Sequence, residues 1–371
     1  MFGVFFMWRL LDLGSLPPVQ TQAVYEAVAL ERDKGNVPDT LILCYPESPL
    51  VCIGFHQEAA KEVDLEFCRL KGIPVVRRIL GGGAVYLDEN QLFYQVIVHR
   101  SNPVVPGAVA EFFRFLLEAP VRTYRQLGVS AYFKPVNDIE VEGRKISGNG
   151  AGIVGEVNVL TGNIIFDFDY DMMVRVLKVP SEKFRDKFAK SLRDRVTTLL
   201  RELGSKPPLE KVKSLLVRNF EEVLGAEMVE GELTDRERRL MEEIEKKYLS
   251  DEWTYARDFS HPELAKKVKV AGSTFVAESA YKAPGGLIRV TLEFEEDKIL
   301  DVLISGDFWM YPEVKLEKLE EKLKGVKLRR EEVLNAVSSF YSEEGVEVPS
   351  VTPEDFTQAI MQAAHPTSGP A

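Results

Sequence analysis

The sequence predicts an α+β protein with two domains. Helix-like and strand-like segments alternate through the first third, and residues 132–166 consist of short β-type runs separated by Asn and Gly. Residues 169–248 are highly charged and helical in pattern. A second strand-rich segment follows, and two more predicted helices come after its strands. We therefore expect a mixed or antiparallel sheet with flanking helices, followed by a smaller α+β domain.

The N-terminal elements are predicted from hydrophobic periodicity and from the residues that begin and end each run. Asp64 is a typical helix N-cap, and Gly35 and Gly72 each follow a helical pattern. Helices are predicted at Thr21–Lys34, Asp64–Leu70 and Val109–Leu127, the last broken at Pro120. Strands are predicted at Leu41–Cys44, Leu50–Ile53, Ile73–Arg77, Ala84–Tyr86 and Leu92–His99.

The pattern changes near Leu249–Trp253, which predicts the domain boundary. Beyond it, alternating runs on either side of Glu295-Glu296-Asp297 predict a hairpin. Strands are expected at Phe275–Ser279, Leu287–Phe294 and Ile299–Ser305, and helices at Glu313–Leu323 and Arg330–Tyr341. The predicted division is a larger domain over 7–248, a smaller one over 249–348 and a loose tail over 349–371.

The length and composition argue against several classes of function. A chain of 371 residues suits two domains, and its net charge of −11 argues against nucleic-acid binding through a broad basic surface. Met1–Phe6 is apolar but too short for a membrane span or a signal segment, and no stretch approaches ~18 uncharged apolar residues. We expect a cytoplasmic monomer that binds neither nucleic acid nor a membrane.

Cysteine and histidine offer little chemistry in this sequence. The three cysteines lie in largely apolar stretches without a CxxC pair, which favours buried thiols over zinc ligands, and their odd number indicates a reducing compartment. The four histidines are scattered, and surface or hydrogen-bonded roles are favoured over catalysis. These residues are Cys44, Cys52, Cys68, His56, His99, His261 and His365.

The first chemistry-bearing segment is Arg-Arg-Ile-Leu-Gly-Gly-Gly-Ala-Val-Tyr-Leu-Asp at residues 77–88. Three consecutive glycines let the backbone approach a ligand and expose its N–H groups. A preceding arginine suits a carboxylate or phosphate. A tight inter-strand loop with surface arginines is the alternative. The segment lacks the Lys-Ser/Thr ending of a Walker A loop and the spacing of a dinucleotide fingerprint.

The second segment, residues 137–149, predicts a hairpin with a turn at Glu142-Gly143. On the returning strand Lys145 and Ser147 are expected to share one face. A lysine directed into a closed pocket supplies a compact positive charge, suited to an acyl carboxylate and the α-phosphate that it attacks. The alternative is a surface lysine beside a β-turn.

Taken in order, these two segments resemble the lipoate–protein ligase family, with family-like spacing over about 8–203. The early turn at 51–57 fits the same family, and 285–288 with 305–309 resemble its accessory C-terminal domain. The resemblance implies a catalytic domain with the biotin/lipoate ligase fold. It also implies that lipoate and ATP, with Mg²⁺, form a lipoyl-adenylate. The acyl group then passes to a lysine of a lipoyl-domain acceptor, of the glycine-cleavage H type or the 2-oxoacid dehydrogenase E2 type.

The same resemblance implies roles for individual residues. Lys145 would be the central catalytic lysine, Arg78 would lie at the adenylate, and Asp138 would meet the phosphates and Mg²⁺. Residues implied to bind substrate or nucleotide are Arg78, Gly81, Gly82, Gly83, Ala84, Val85, Tyr86, Asp88, Asn137, Asp138, Ser147, Gly148 and Gly162.

Three positions depart from the family pattern. Leu80 replaces a small hydroxyl residue, Leu87 stands where a His usually precedes the aspartate, and Leu160 lies in a normally His-rich turn. These changes remove polarity and leave open which acid is used. Alternatives are an ATP-independent octanoyltransferase, a biotin ligase and a non-catalytic binding protein. Some octanoyltransferases use a cysteine nucleophile, and no cysteine follows Lys145.

Overall fold

The computed structural model describes residues 6–179, 182–258, 268–271 and 274–365. The chain divides into two compact units. The described residues of the first unit lie within Met1–Cys52, Glu62–Arg78 and Val85–Thr254, and those of the second within Ile53–Lys61, Ile79–Ala84 and Tyr255–Ala371. Two short N-terminal segments therefore group with the C-terminal part of the chain, which the predicted division at 248/249 did not include.

The strands are β1 (Phe6–Leu16), β2 (Thr40–Pro46), β3 (Leu50–Ile53), β4 (Val75–Arg77), β5 (Val85–Leu87), β6 (Gln91–His99), β7 (Tyr132–Lys134), β8 (Asp138–Val141), β9 (Arg144–Ser147), β10 (Asn149–Val154), β11 (Val157–Ile165), β12 (Ala226–Glu230), β13 (Val268–Ala271), β14 (Thr274–Ala283), β15 (Gly286–Glu295) and β16 (Lys298–Gly306). The α-helices are α1 (Gln20–Asp33), α2 (Ala59–Glu62), α3 (Leu65–Lys71), α4 (Val109–Leu116), α5 (Glu118–Gln126), α6 (Tyr170–Val176), α7 (Glu182–Arg195), α8 (Leu199–Leu203), α9 (Leu209–Leu224), α10 (Asp235–Tyr248), α11 (Asp251–Thr254), α12 (Leu316–Leu323), α13 (Arg330–Glu344) and α14 (Pro353–Ala364). A 3-10 turn, Glu313–Lys315, precedes α12.

The first unit is built on a mixed six-stranded sheet with the order β10-β11-β6-β2-β1-β12. β1 runs parallel to β2 and β12, and the other pairs are antiparallel. This confirms the expected α+β class with a mixed sheet. Strands β1 and β12 were not predicted. β12 is an exposed, Glu-containing edge strand inside a charged helical region, so its composition hides it.

Helices cover the sheet through buried aromatic residues. Tyr25, Tyr94, Tyr124, Phe113 and Phe220 are fully buried side chains of the first unit. The predicted break at Pro120 was wrong in position, because α4 ends at Leu116 and α5 begins at Glu118. Pro120 lies in the first turn of α5, where a missing N–H removes no intrahelical hydrogen bond.

Two small three-stranded sheets lie next to the chemistry-bearing segments. One has the order β4-β3-β5 and brackets the arginine and glycine motif. The other has the order β7-β8-β9 and contains Lys145. Strands β9 and β10 are separated by Gly148 alone, so the small sheet is joined to the large one at that residue.

The second unit is an antiparallel sheet, β13-β14-β15-β16, packed with α12, α13 and α14. The sharp turn after β15 is confirmed, and Glu296 adopts φ 52° there. The loose tail predicted over 349–371 was wrong for Pro353–Ala364, which form α14, and residues 366–371 lie outside the described residues. Thr352 and Asp355 form a reciprocal capping box at the start of α14, and Phe356 and Ile360 are fully buried.

Among the described residues, no helix combines the length and the apolar character that crossing a membrane requires.

Candidate active site

Lys145 lies on the β8–β9 hairpin of the first unit. The connecting residues Glu142 and Gly143 have φ angles of 48° and 78°, the positive values that a tight two-residue turn requires. Lys145 Nζ lies 2.6 Å from Asp138 Oδ1, and the lysine side chain is 39% exposed. The amine is therefore fixed to a carboxylate and remains open to a ligand.

A β-bulge changes which side chains of β9 share a face. The register between β8 and β9 shifts so that Ile146 is an extra residue. The buried Ser147 hydroxyl lies 3.3 Å from Tyr94 Oη, whereas Lys145 extends to Asp138. The expectation that Lys145 and Ser147 share a face was wrong, because the bulge interrupts strict alternation.

The main chain of Lys145 is held on its other side by the segment after α7. Thr197 N donates to Lys145 O at 2.8 Å, and Val196 forms a parallel bridge with Lys145. The Thr197 hydroxyl donates to Glu202, which pairs with Arg144 at 3.1 Å. The backbone that carries the amine is therefore braced by two neighbouring segments.

A buried polar cluster surrounds the start of β10. Asn149 Nδ2 donates to Asn137 O at 2.9 Å, and Asn137 Nδ2 donates to Asn149 O. Tyr94 Oη donates to Asn149 Oδ1. A Cβ at Gly162 would overlap the side chains of Tyr94 and Asn149, so this position needs glycine for packing. Its role in binding a nucleotide stays a prediction.

Asp88 and Tyr86 are buried within the first unit. Asp88 is 3% exposed, and its Oδ1 accepts from Asn90 N at 3.0 Å and from Gln91 Nε2 at 3.4 Å. Burial raises the pKa of Asp88 to about 6, and these two hydrogen bonds oppose the rise. Burial also raises the pKa of the Tyr86 phenol, whose ring meets Phe168 edge-on.

The two arginines before the glycines are buried, which excludes the surface alternative. Arg77 is 1% exposed and donates to Trp253 O at 3.1 Å and to Thr254 O at 2.7 Å. Trp253 Nε1 donates back to Arg77 O at 2.8 Å. Arg78 Nη1 donates to Cys52 O at 3.2 Å. Arg77 therefore fastens the last helix of the first unit, α11, to β4.

The glycine loop belongs to the second unit, where it lies close to two other backbone segments. Gly82 has φ 88°, and a Cβ at Gly54 would overlap Gly82 O. A Cβ at Gly81 would lie 3.1 Å from Cε3 of Trp309. The sequence predicted that these glycines let the backbone approach a ligand. In the structure they let segments of the second unit approach one another closely.

All three cysteines lie in the described range 6–179, and none forms a disulfide. Each is at most 1% exposed. Burial raises the pKa of all three thiols, that of Cys68 to about 11, and Arg78 partly opposes the rise at Cys52. None of the three thiols therefore lies in an environment that favours the thiolate form needed for nucleophilic attack.

The histidines and carboxylates give no preformed metal centre within the described residues. His56 is buried, and its ring stacks on Phe308 at 5.1 Å between centroids. His99 Nδ1 lies 2.7 Å from Ser101 Oγ, and His365 is exposed. His261 lies outside the described residues. These surroundings agree with packing and hydrogen-bonding roles.

The three leucines that depart from the family pattern are all buried. Leu80 is 1% exposed, Leu160 is fully buried on β11, and Leu87 ends β5. Apolar side chains at these positions are consistent with packing, so their effect on substrate choice stays a prediction.

The fold gathers one group of predicted site residues in the first unit: Lys145, Asp138, Asn137, Ser147, Gly148 and Gly162. Gly81, Gly82, Gly83 and Ala84 belong to the second unit, while Arg78, Val85, Tyr86 and Asp88 belong to the first. Sequence reasoning missed the buried amides of Gln91 and Asn163. A polar residue within an apolar strand was the available signal for both.

Comparison with known proteins agrees with this arrangement. Residues 17–221 match the family described as lipoyl protein ligase A/B catalytic domain, and residues 274–360 match the family described as bacterial lipoate protein ligase C-terminus. The chain belongs to the lipoyl protein ligase A/B family, and it is an enzyme of the lipoate ligase and transferase class.

Two curated relatives illustrate the division within that class. The chain is 34% identical over 272 residues to octanoyltransferase LipM of Kyrpidia tusciae, a match covering 67% of this chain and 99% of the relative. It is 30% identical over 325 residues to lipoate-protein ligase LplJ of Bacillus subtilis, covering 86% of this chain and 90% of the relative.

Solved structures support the fold. A bipartite lipoate protein ligase of Thermoplasma acidophilum, described with its E2 lipoyl domain, has a TM-score of 0.60 at 31% identity, covering 69% of this chain and 99% of that one. Lipoate-protein ligase A bound with ATP has a TM-score of 0.58 at 29% identity, covering 67% and 98%.

Proposed function

We propose that this protein is an ATP-dependent lipoate–protein ligase. It joins lipoate, or a related acyl acid, to AMP and then transfers the acyl group to a lysine of a lipoyl-domain acceptor. Membership of the family supports acyl transfer in lipoylation, and the ATP-bound relative supports the use of a nucleotide. The finer choice, between a ligase and a transferase, depends on the chain's own residues.

The burial of all three cysteines carries that choice. An octanoyltransferase that forms an acyl-thioester needs a thiolate accessible to an acyl carrier. Cys44, Cys52 and Cys68 are at most 1% exposed, and burial raises the pKa of each thiol. No cysteine follows Lys145 in the sequence. Acyl-adenylate chemistry needs no covalent enzyme intermediate, so it fits these side chains.

The C-terminal domain gives independent support. Residues 274–360 match a C-terminal domain described for bacterial lipoate protein ligases. The LplJ ligase aligns over 86% of this chain, whereas the LipM transferase aligns over 67%. The additional length of this chain is therefore shared with the ligase and not with the transferase.

In the first step, a carboxylate oxygen of the acid attacks the α-phosphorus of ATP. The bond from that phosphorus to the bridging oxygen breaks, and pyrophosphate leaves with the electron pair. Two anions must meet, so positive charge between them lowers the barrier. Lys145 provides that charge, and its pairing with Asp138 at 2.6 Å holds the amine in place until the substrates arrive.

Mg²⁺ fits this site as part of the ATP complex. Magnesium commonly takes one or two protein carboxylates and completes its octahedron with phosphates and water. Asp138 is a partly exposed carboxylate beside Lys145, so it would hold the ion without a preformed cluster. When bound, the ion neutralises phosphate charge.

In the second step, the acceptor's lysine amine attacks the acyl carbon and AMP leaves, while the amine loses a proton. We propose a lipoyl domain as acceptor because the Thermoplasma ligase is described with its E2 lipoyl domain. The acceptor is of either the 2-oxoacid dehydrogenase E2 type or the glycine-cleavage H type.

The proposed substrate and nucleotide contacts remain those of the family motifs. Arg78 would bind the adenylate, and the remaining residues would line the nucleotide and acyl sites. They are Gly81, Gly82, Gly83, Ala84, Val85, Tyr86, Asp88, Asn137, Asp138, Ser147, Gly148 and Gly162.

The test is pyrophosphate release from Mg·ATP on addition of lipoate, octanoate or biotin, followed by mass spectrometry of purified lipoyl-domain and H-type acceptors. We expect pyrophosphate with lipoate and an acceptor whose mass rises by one lipoyl group. Prior treatment of the native enzyme with N-ethylmaleimide should leave both readouts unchanged.

Two other outcomes would replace the proposal. Acyl transfer from octanoyl-acyl carrier protein without ATP, blocked by the maleimide, would identify a cysteine-dependent octanoyltransferase. Tight binding of an acid or adenylate without pyrophosphate release or transfer would identify a non-catalytic binding protein.

A further inference from the structure

Gly148 connects the small sheet to the large one, and a side chain binds its amide. Asn163 Oδ1 accepts from Gly148 N at 2.8 Å. The ladder between β10 and β11 ends with Asn149 opposite Gly162, so Asn163 lies one residue beyond it. The side chain of Asn163 therefore supplies the acceptor that the ladder no longer offers.

The amide of Asn163 is itself held in one orientation. Its Nδ2 donates to Gln91 Oε1 at 2.8 Å, and Gln91 Nε2 donates to Asp88 Oδ1 at 3.4 Å and to Tyr86 O at 3.3 Å. Asp88, Gln91 and Asn163 are 3%, 1% and 8% exposed. Because a carboxylate only accepts, Gln91 turns its NH₂ group to Asp88, and its oxygen then faces Asn163.

This series of hydrogen bonds ends at Gly148, directly beneath the Lys145 side chain. A Cβ at Gly148 would lie 3.6 Å from Cε and 3.9 Å from Nζ of Lys145. The outer half of the Lys145 side chain thus lies directly over Gly148, while Asp138 binds its amine. A shift of Gly148 would move the surface on which that side chain lies.

We infer that Asp88, Gln91 and Asn163 form a positioning chain that fixes Gly148 and, through it, the amine of Lys145. This inference rests on the proposed function, in which Lys145 places positive charge between the acid and the α-phosphate. Asn163 is the positioning residue that touches Gly148 directly. Gln91 and Asp88 fix the orientation of its amide.

The positioning chain predicts a kinetic signature distinct from loss of folding. Asn163→Ala should lower kcat for pyrophosphate release by about ten- to a hundredfold, because small misplacements of a catalytic group are costly. The KM values for ATP and lipoate should change little, since Asn163 is 8% exposed and its amide already bonds Gly148 and Gln91. The matched control is Asn158→Ala, a partly exposed asparagine on the same strand, which should keep the wild-type kcat.

A double variant tests whether the members act as one unit. If they do, Gln91→Leu with Asn163→Ala should lose about as much kcat as Asn163→Ala alone, because coupled losses are not additive. Multiplied losses would contradict the chain, as would an Asn163→Ala enzyme with wild-type kcat. Circular dichroism melting would identify variants that fail to fold.

A second readout does not depend on the reaction. Trace labelling of the native full-length protein with acetic anhydride, read by peptide mass spectrometry, reports the reactivity of Lys145 relative to Lys134. Asn163→Ala should raise the relative reactivity of Lys145, and Asn158→Ala should not. Unchanged reactivity with Asn163→Ala would overturn the inference even in an active ligase. A raised value in a protein that makes no adenylate would reject only the proposed function.

Discussion

Arg77 and Lys145 are both cations within family motifs, but they differ in exposure and in the kind of group that they bind. Arg77 is 1% exposed, and its guanidinium donates to the main-chain oxygens of Trp253 and Thr254. Lys145 is 39% exposed and pairs with the side chain of Asp138. A motif position alone does not separate these roles, but exposure and the kind of partner do.

The energetic consequences differ in the same way. Removing a buried guanidinium takes away a donor to main-chain oxygens, which costs stability. A partly exposed lysine–aspartate pair contributes little to stability because water screens it. We therefore expect Arg77 to govern folding and Lys145 to govern chemistry.

The largest expected effect is that of Lys145→Ala. Removing the positive charge between two anions should lower pyrophosphate release at least about 10³-fold, while the melting temperature changes little. The matched control is Lys134→Ala, a 51% exposed lysine on β7 that pairs with Glu140. Near-normal turnover by the Lys145 variant would show that Lys145 does not supply the catalytic charge.

Arg77→Met should act in the opposite sense. It keeps much of the buried volume but leaves the oxygens of Trp253 and Thr254 without their donor, so the free energy of unfolding should fall by roughly 3 kcal/mol. The kcat of the folded fraction should stay close to wild type. Urea unfolding measures the first quantity, with the exposed Arg69→Met as control. A stable but inactive Arg77 variant would show that this arginine also serves the reaction.

Much of the fold was predictable because local chemistry marks its elements. Asp64 N-caps α3, Gly72 ends it with φ 65°, and Glu142-Gly143 forms the predicted turn. Strand β12 was missed because it depends on pairing with β1. Helix α14 was missed although the Thr352–Asp355 capping box is a local signal, because the Pro-, Thr- and Ala-containing composition favours a loose tail.

The candidate site was predictable in its residue types and less so in its geometry. Lys145 and Asp138 follow from the motif, and the antiparallel pairing of β8 with β9 confirms the hairpin predicted for residues 137–149. The positions of Gln91 and Asn163 follow from the order of strands β6, β11 and β10, which local sequence does not encode. The bulge at Ile146 has no local signal such as glycine, so strict alternation misassigned Ser147.

Asp88 sharpens the comparison because it is buried like Arg77, while hydrogen bonds through Gln91 and Asn163 connect it to Gly148, on which the Lys145 side chain lies. Burial raises its pKa to about 6, above the value of about 4 expected in the unfolded chain. The folded state therefore binds this proton more tightly. Its contribution to the free energy of unfolding declines as pH rises from about 4 to about 6 and levels off above that range.

Asp88→Asn removes this titration and should give the smallest of the three effects. Between pH 5 and pH 7 the wild type should lose about 1 kcal/mol of unfolding free energy relative to the variant. Urea unfolding at both pH values measures this difference, and Glu89→Gln, an exposed neighbour, controls for a general change in charge. Parallel pH profiles for wild type and Asp88→Asn would mean that Asp88 is already ionised at pH 5. In that case its hydrogen bonds to Asn90 and Gln91 outweigh burial, and the positioning chain ends in a permanent charge.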